Sequence, residues 1–189
     1  MNYEDRYKIM DKVLALTSRL LPAGQEVWVA GGFIRDTTFV KPVKDLDVFI
    51  LGATKDTLGY FDKMARPMGV KRVSASRVSN DFSDINYVAN PQVLEVFRQE
   101  ANIFLPYTID FIFRKEKTVE ELLKDFPVSI SRCAYSLAYG LHYDEAFMQT
   151  RSGKTIWVNK GISPNYLHRI QDKYPTKEGW EYLQGDKDV

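Results

Sequence analysis

Residues 29–50 read VAGGFIRDTTFVKPVKDLDVFI, and the two ends of this stretch carry different chemistry. At one end Gly31 and Gly32 follow the short apolar run EVWVA; at the other, Asp45 and Asp47 interrupt the otherwise apolar DLDVFIL. Strand side chains alternate, so Asp45, Asp47 and Phe49 share one face while Leu46, Val48 and Ile50 share the other. Two carboxylates held that close repel each other and lose hydration, a cost that a cation between them offsets. Mg2+ suits such a pair, because it is a hard ion held by one or two carboxylates together with substrate phosphates. Mn2+ is the alternative ion.

A glycine pair between a strand and a short helix lets the backbone approach a ligand closely, and the first N–H groups of the helix favour phosphate. Gly31 and Gly32 are therefore candidate phosphate contacts facing a metal on Asp45 and Asp47. In YTIDFIF, residues 107–113, alternation separates Asp110 from Ile109, Phe111 and Phe113. Asp110 becomes a candidate third acid if its strand lies beside that of Asp45 and Asp47. Three acids can hold two ions about 3.5–4 Å apart, one at an attacking hydroxyl and one at a leaving pyrophosphate. A bare D-x-D is expected roughly once by chance in a chain of this composition. A second one does occur in the terminal GDKDV, without strand or glycines, and reads as solvated charge. The ordered context of strand, glycine pair, short helix and acid pair sets the first apart.

With that context, GGFIRDTTFVKPVKDLDVF resembles the signature of the nucleotidyltransferase superfamily that includes DNA polymerase beta. It is most similar to the GGxVRD…DxD form of the bacterial CCA-adding and poly(A) polymerase group. The resemblance is close over about residues 25–52 and looser to about 140. It implies Gly31 and Gly32 at nucleotide phosphates, Asp45 and Asp47 as catalytic metal ligands, and Asp110 as a candidate third acid. There are departures. The family's Leu-Gly after the Arg-Asp pair is Phe39-Val40 here, and FPVSISRCAYSL stands where an RRDF-type segment belongs. The chain also leaves no room for neck, body and tail domains, and it carries no EDxxR motif. The expectation is a minimal stand-alone member of the fold, similar to small proteins of phage and bacterial genomes.

The rest of the composition is compatible with this reading. The 189 residues suit one domain with its own core, expected as 25–140 with a C-terminal strand and helical tail over 141–189. A single Cys133 and two isolated histidines exclude an internal disulfide and argue against structural zinc. No apolar run reaches the length of a membrane span and the N-terminus is acidic rather than basic, so a cytoplasmic protein without membrane partners is expected. With 26 basic and 25 acidic residues there is no global positive field, and any polyanion site must be local.

The fold class expected is α/β (α+β), a small mixed sheet flanked by helices. Ile9, Val13, Leu16 and Leu20, with Met10, Leu14 and Leu21 beside them, form a helical stripe over 3–21, and Leu58, Phe61, Met64 and Ala65 another over 54–66. Thr118 with Glu121 forms a capping box. VKRV reads as a strand. PQVLEVFRQE reads as a short helix from Pro91, residues 74–90 as a turn-rich loop, and 74–100 as either a lid or surface decoration. SISRCAYSLAYG is ambiguous between helix and strand. KTIWVN reads as a strand, and NYLHRIQDKY with GWEYLQ as a helical tail.

Arg35 could contact a nucleotide phosphate or pair with Asp36 as scaffold. Arg132, in an apolar segment, requires a partner, and a nucleotide triphosphate is one of several. The basic runs VKRVSASR and FRKEK could receive an RNA backbone, or be solvated faces. Trp157, Tyr166, Trp180 and Tyr182 suit packing of the C-terminal segment.

Two classes of function follow. One is a metal-dependent transferase that moves an NMP from an NTP to an acceptor: tRNA or another RNA 3′ end, a protein, or a small molecule. The other is a nucleotide- or partner-binding protein on the same fold, acting in a host–phage conflict.

Overall fold

A computed structural model describes residues 3–73, 90–103 and 105–185. The loop expected over most of 74–90, Arg77 and the terminal D-x-D lie outside the described residues.

Helix α1 (Tyr3–Arg19) has Glu4 and Asp5 in its first turn and Arg19 in its last, which complements the helix dipole. It buries Met10, Val13, Leu14 and Thr17. The expected face is the buried one, centred on Met10, Val13 and Leu14, while Leu16 at its edge is exposed. Strand β1 (Val27–Ala30) runs through Gly31 into helix α2 (Gly32–Thr38), followed by β2 (Asp45–Ile50). Helix α3 (Lys55–Ala65) starts at Thr54, whose hydroxyl accepts from the Thr57 N–H while Thr57 reaches back to the Thr54 N–H.

Strands β3 (Lys71–Arg72), β4 (Val93–Gln99) and β5 (Thr108–Arg114) follow. Residues 93–99 are therefore strand, where a helix from Pro91 was expected. Asn90 closes a turn there, its side-chain oxygen accepting from the Gln92 N–H and its carbonyl from the Val93 N–H. Val93, Val96 and Phe97 then pair along β5, so β-sheet context overrides a weak local preference. Helix α4 (Val119–Lys124) carries the Thr118–Glu121 capping box. The ambiguous segment becomes a short 3-10 turn, Ser129–Ser131, and a hairpin of β6 (Cys133–Ser136) and β7 (Gly140–Tyr143).

Among the described residues, seven strands form one sheet in the order β3-β4-β5-β2-β1-β6-β7. The central pair β2–β5 is parallel and the other pairs are antiparallel. One face packs Leu46, Val48, Ile50, Phe111 and Phe113 against residues of α1 and α3. The opposite face packs Phe49, Ile112, Trp28 and Ala30 against α4. The alternation read from DLDVFI is thus the boundary between two cores.

Beyond α5 (Glu145–Gly153), strands β8 (Thr155–Val158) and β9 (Glu181–Gln184) pair in parallel, with α6 (Pro164–Lys173) between them. GWEYLQ is strand rather than the expected helix, because Gly179 at φ 86° ends the preceding turn and turns the chain back beside β8. Ile156, Val158, Ile170, Tyr174 and Trp180 form its core. Phe39 meets Tyr174 and Trp180 edge-on at centroid distances of 5.6 and 5.3 Å, and so ties this segment to the main sheet.

Candidate active site

Parallel pairing of β2 and β5 sets Asp45 opposite Thr108 and Asp47 opposite Asp110. All three carboxylates consequently stand on one face of two adjacent strands. They line a cavity of about 710 Å³. Its wall includes Gly32, Arg35 and Asp36 from α2, and Tyr166, Arg169 and Lys173 from α6. Residues 166, 169 and 173 fall on one side of a helix. Lys44 and Lys160 add two further cations. Acidic and cationic side chains therefore share one cavity, a combination suited to metal and polyphosphate together.

The electrostatics of Asp45 reflect this. Burial pushes its pKa up; Lys44 pulls it back, the charge of Asp110 pushes it further up, and Lys173 and Arg169 pull it back, with a net rise. Ionised Asp45 lacks full compensation, which is the condition a bound cation relieves. Asp110, by contrast, is already engaged. Arg98, its direct partner on β4, donates from Nε to Oδ1 at 2.7 Å and from Nη2 to Oδ2 at 2.8 Å. Among the described residues no group of three or more His, Cys, Asp or Glu side chains is arranged to hold a metal ion. Asp45 and Asp47 are two hard oxygen donors of the kind that would hold one Mg2+ together with water and phosphate oxygens.

Gly31 and Gly32 differ in their surroundings. Gly31 has φ 73° and ψ −124°, and a Cβ on it would stand 2.6 Å from Cε1 of Phe126. Its N–H bonds the Cys133 carbonyl at 2.9 Å, so this glycine serves the junction of β1, β6 and α2. Gly32 lines the cavity, and a Cβ there would meet nothing closer than Arg35 Nη2 at 3.6 Å.

Of the two roles open to Arg35, the contacts match scaffold. It donates to both oxygens of Asp36, at 2.6 and 3.0 Å, and to Ser131 Oγ at 3.0 Å. Asp36 also accepts from Lys173 and from the Tyr174 hydroxyl. Burial works against its charge, but Arg35 and then Lys173 outweigh this and hold its pKa below the ordinary carboxylate value. The Arg-Asp pair thereby anchors the C-terminal end of α6 to α2. Arg132 is turned to the Phe126 carbonyl, Asn159 and Asp144, at 3.4, 3.3 and 3.5 Å.

Two arginines of the basic runs are paired with acids, while Lys71, Lys115 and Lys117 are exposed. Arg72 lies 3.4 Å from Glu95, and Arg114 pairs with Glu116 and Asp125. Sequence reasoning missed the cations of the cavity wall. Lys44 sits directly before the acid pair, and Tyr166, Arg169 and Lys173 share a helical face, so both signals were in the sequence; what could not be read was that α6 lines the same cavity as β2. It missed Arg98 because residues 91–100 read as helix.

Several solved structures share this architecture. A tRNA-processing enzyme in an apo form superposes with a TM-score of 0.59 at 16% identity, covering 95% of this chain and 44% of that one. The Bacillus stearothermophilus CCA-adding enzyme in complex with CTP gives 0.58 at 10%, covering 97% and 42%. A tRNA nucleotidyltransferase complexed with a primer tRNA and an incoming ATP analogue gives 0.55 at 15%, covering 90% and 46%. At these identities the likeness is one of fold, the nucleotidyltransferase fold, and the chain spans less than half the length of each. No curated protein matches the sequence. The model of a family described as "Gabija anti-defense 2 family protein" matches residues 4–154.

Proposed function

The chain belongs to the Gabija anti-defense 2 family, and from that premise we propose that it counteracts the Gabija defence as a metal-dependent nucleotidyltransferase. The observation that carries this reading is that Asp45 and Asp47 line the same cavity as Lys44, Lys160, Arg169 and Lys173.

In this reading Asp45 and Asp47 hold one Mg2+ and the backbone at Gly32 lies against the phosphates of an NTP. Lys44, Lys160 and Arg169 neutralise the polyphosphate, while Arg35 keeps the wall in place through Asp36. The bound ion supplies charge stabilisation at the α-phosphate. The acceptor oxygen forms a bond to the α-phosphorus, the bond from that phosphorus to the bridging oxygen breaks, and pyrophosphate leaves; the acceptor's proton passes to solvent. Tyr166, with the Arg169 guanidinium 5.3 Å from its ring centroid, offers a flat surface for a base at the cavity wall. The acceptor class is an RNA 3′ end, a protein or a small molecule of the infected cell's cytoplasm. That three of the similar structures carry tRNA-processing, CTP or tRNA in their descriptions favours RNA as the first acceptor to try.

One observation favours the second reading, a non-catalytic binding protein: Asp110 is occupied by Arg98. The two readings separate in cells that carry a Gabija system. If catalysis is the means of counter-defence, the chain restores phage plating and Asp45→Asn/Asp47→Asn does not, although it accumulates to the same level. Restoration by the double variant would establish the binding reading instead.

A further inference from the structure

We infer that the end of the cavity formed by Phe126, Arg114 and Asp125 is the acceptor subsite, and that it takes the terminal nucleoside of an RNA 3′ end, the base lying on Phe126 and donating an N–H to the Asp125 carboxylate. The inference rests on the reading of Asp45 and Asp47 as the centre of nucleotidyl transfer.

Parallel pairing of β2 and β5 sets an order along one face: Asp45 first, then Asp47 beside Asp110, Phe49 beside Ile112, and Arg114 last. Arg114 is four residues beyond Asp110 on the same face, about 13 Å farther along the strand. Cations gather at the first end. Lys44 precedes Asp45, Lys173 reaches the Pro42 carbonyl at 3.4 Å, and Arg169 lies one turn before Lys173 on α6. Lys160 belongs to the loop that runs from the Pro127 carbonyl, bonded by the Asn159 N–H at 2.9 Å, to the start of α6. Pyrophosphate held by Lys44, Arg169 and Lys173 leaves away from Arg114, and in-line displacement needs the acceptor on the opposite side of the α-phosphorus. The acceptor hydroxyl therefore arrives from the side of Phe49 and Arg114. Its oxygen bonds the phosphorus as the bond to pyrophosphate breaks, and its proton passes to solvent.

That end suits a flat ring with a polar edge. Phe126 is half-buried and lines the cavity, its ring fixed against Gly31 and meeting Phe49 edge-on at a centroid distance of 5.8 Å. A ring held this way is a platform on which any base can stack, so Phe126 supplies affinity and the edge supplies choice. Arg114, with its side chain 3% exposed, donates from Nε to Glu116 at 3.0 Å and from Nη2 to Glu116 and to Asp125 Oδ2. The Asn90 amide donates to the same Oδ2 at 2.6 Å. Asp125 is thus anchored by one oxygen, and its Oδ1 receives no donor among the described residues. Its side chain is 38% exposed and lines the cavity, so the anchored carboxylate is open to a ligand. A carboxylate in this setting accepts and does not donate, so it selects a ring with an N–H at that edge. Nucleobases carry such an edge, whereas serine, threonine and tyrosine side chains have no ring N–H. Asp125 is then a specificity-determining residue for the acceptor.

The test measures fluorescence anisotropy of four fluorescein-labelled pentaribonucleotides that differ only in the 3′-terminal base, titrated without metal ion into the full chain. Wild type is expected to bind its best oligonucleotide about tenfold more tightly than its worst. Asp125→Asn should remove most of that difference and leave NTP binding unchanged, while Phe126→Leu should weaken all four alike. Transfer of label from α-labelled NTPs should follow the same order of 3′ bases in wild type. No preference in wild type, the same preference in Asp125→Asn, or a preference lost among NTPs rather than oligonucleotides would overturn the inference. Phe126→Leu keeps an apolar side chain against Gly31 and carries the test should Asp125→Asn fail to fold: undiminished binding of all four would overturn the inference. Label passed only to protein or small molecules would overturn it and leave nucleotidyl transfer standing. Label passed to no acceptor would overturn the transferase reading itself, and the acceptor role with it.

Discussion

Gly31 and Phe126 are fitted to each other: the ring stands where a side chain on Gly31 would begin, 2.6 Å from an ideal Cβ. Together with φ 73° and ψ −124°, a conformation essentially reserved for glycine, this makes Gly31 a structural requirement of the β1–α2 turn. Gly31→Ala is expected to destabilise the fold by about 2–4 kcal/mol, combining backbone strain with displacement of a packed ring. Gly32→Ala has room for its Cβ and a helical backbone, so it should leave the denaturation midpoint within error and weaken NTP binding instead. Urea denaturation and nucleotide titration of the two variants check the contrast; equal loss of stability in both would remove the distinction.

Val40 stands at φ 55° and is 81% exposed, just past the end of α2. A β-branched residue in the left-handed region costs about 1–2 kcal/mol, and little packing is lost by removing an exposed side chain. Val40→Gly should therefore stabilise the protein by about 1 kcal/mol, less the added freedom of its unfolded chain. A shift of the melting midpoint to higher temperature is the expected reading.

Asp36 is a buried hub for Arg35, Lys173 and Tyr174. Asp36→Asn leaves two cations without their anion and should cost about 3–5 kcal/mol. It should also raise hydrogen exchange in α6 more than in β2. The sign of the pH effect follows from the lowered folded-state pKa. The contribution of Asp36 is complete above its unfolded value near 3.8 and is lost as pH falls through the lower folded value, so loosening of α6 in the wild type should begin below about pH 4 and be complete only once that lower value is passed.

Asp45 has the opposite sign. Its folded pKa is raised, chiefly by burial, so ionisation at neutral pH works against folding. Without metal, Asp45→Asn should melt higher than wild type at pH 7, and the difference should shrink as pH falls through the raised folded value and vanish only well below the unfolded value near 3.8, where both states hold the carboxyl protonated. Added Mn2+ should stabilise wild type and not the variant. Scanning calorimetry across pH, with and without Mn2+, reads both effects.

Much of this was legible in the residues. The alternation in DLDVFI and TIDFIF located two strands and the faces of Asp45, Asp47 and Asp110, because half-buried strands must separate polar from apolar side chains. The Thr118 cap is likewise local chemistry. What was not legible depends on contacts between distant segments. VLEVFRQ is compatible with either period, and only pairing with β5 makes it a strand that delivers Arg98 to Asp110. The Arg-Asp pair read equally as phosphate contact or scaffold until Lys173 and Tyr174, some 137 and 138 positions away, arrived at the same carboxylate. EYLQ became a strand through pairing with β8.

Nucleotidyl transfer on Asp45 and Asp47 is read out by incorporation of α-labelled NTPs. Each NTP is incubated with the protein and Mg2+ or Mn2+ in total RNA, total protein and small-molecule extracts, with Asp45→Asn/Asp47→Asn as the blank. Label is expected in one of these pools, dependent on the divalent ion and missing from the blank. Nucleotide bound by wild type with no label in any pool, or equal label with the blank protein, would contradict it.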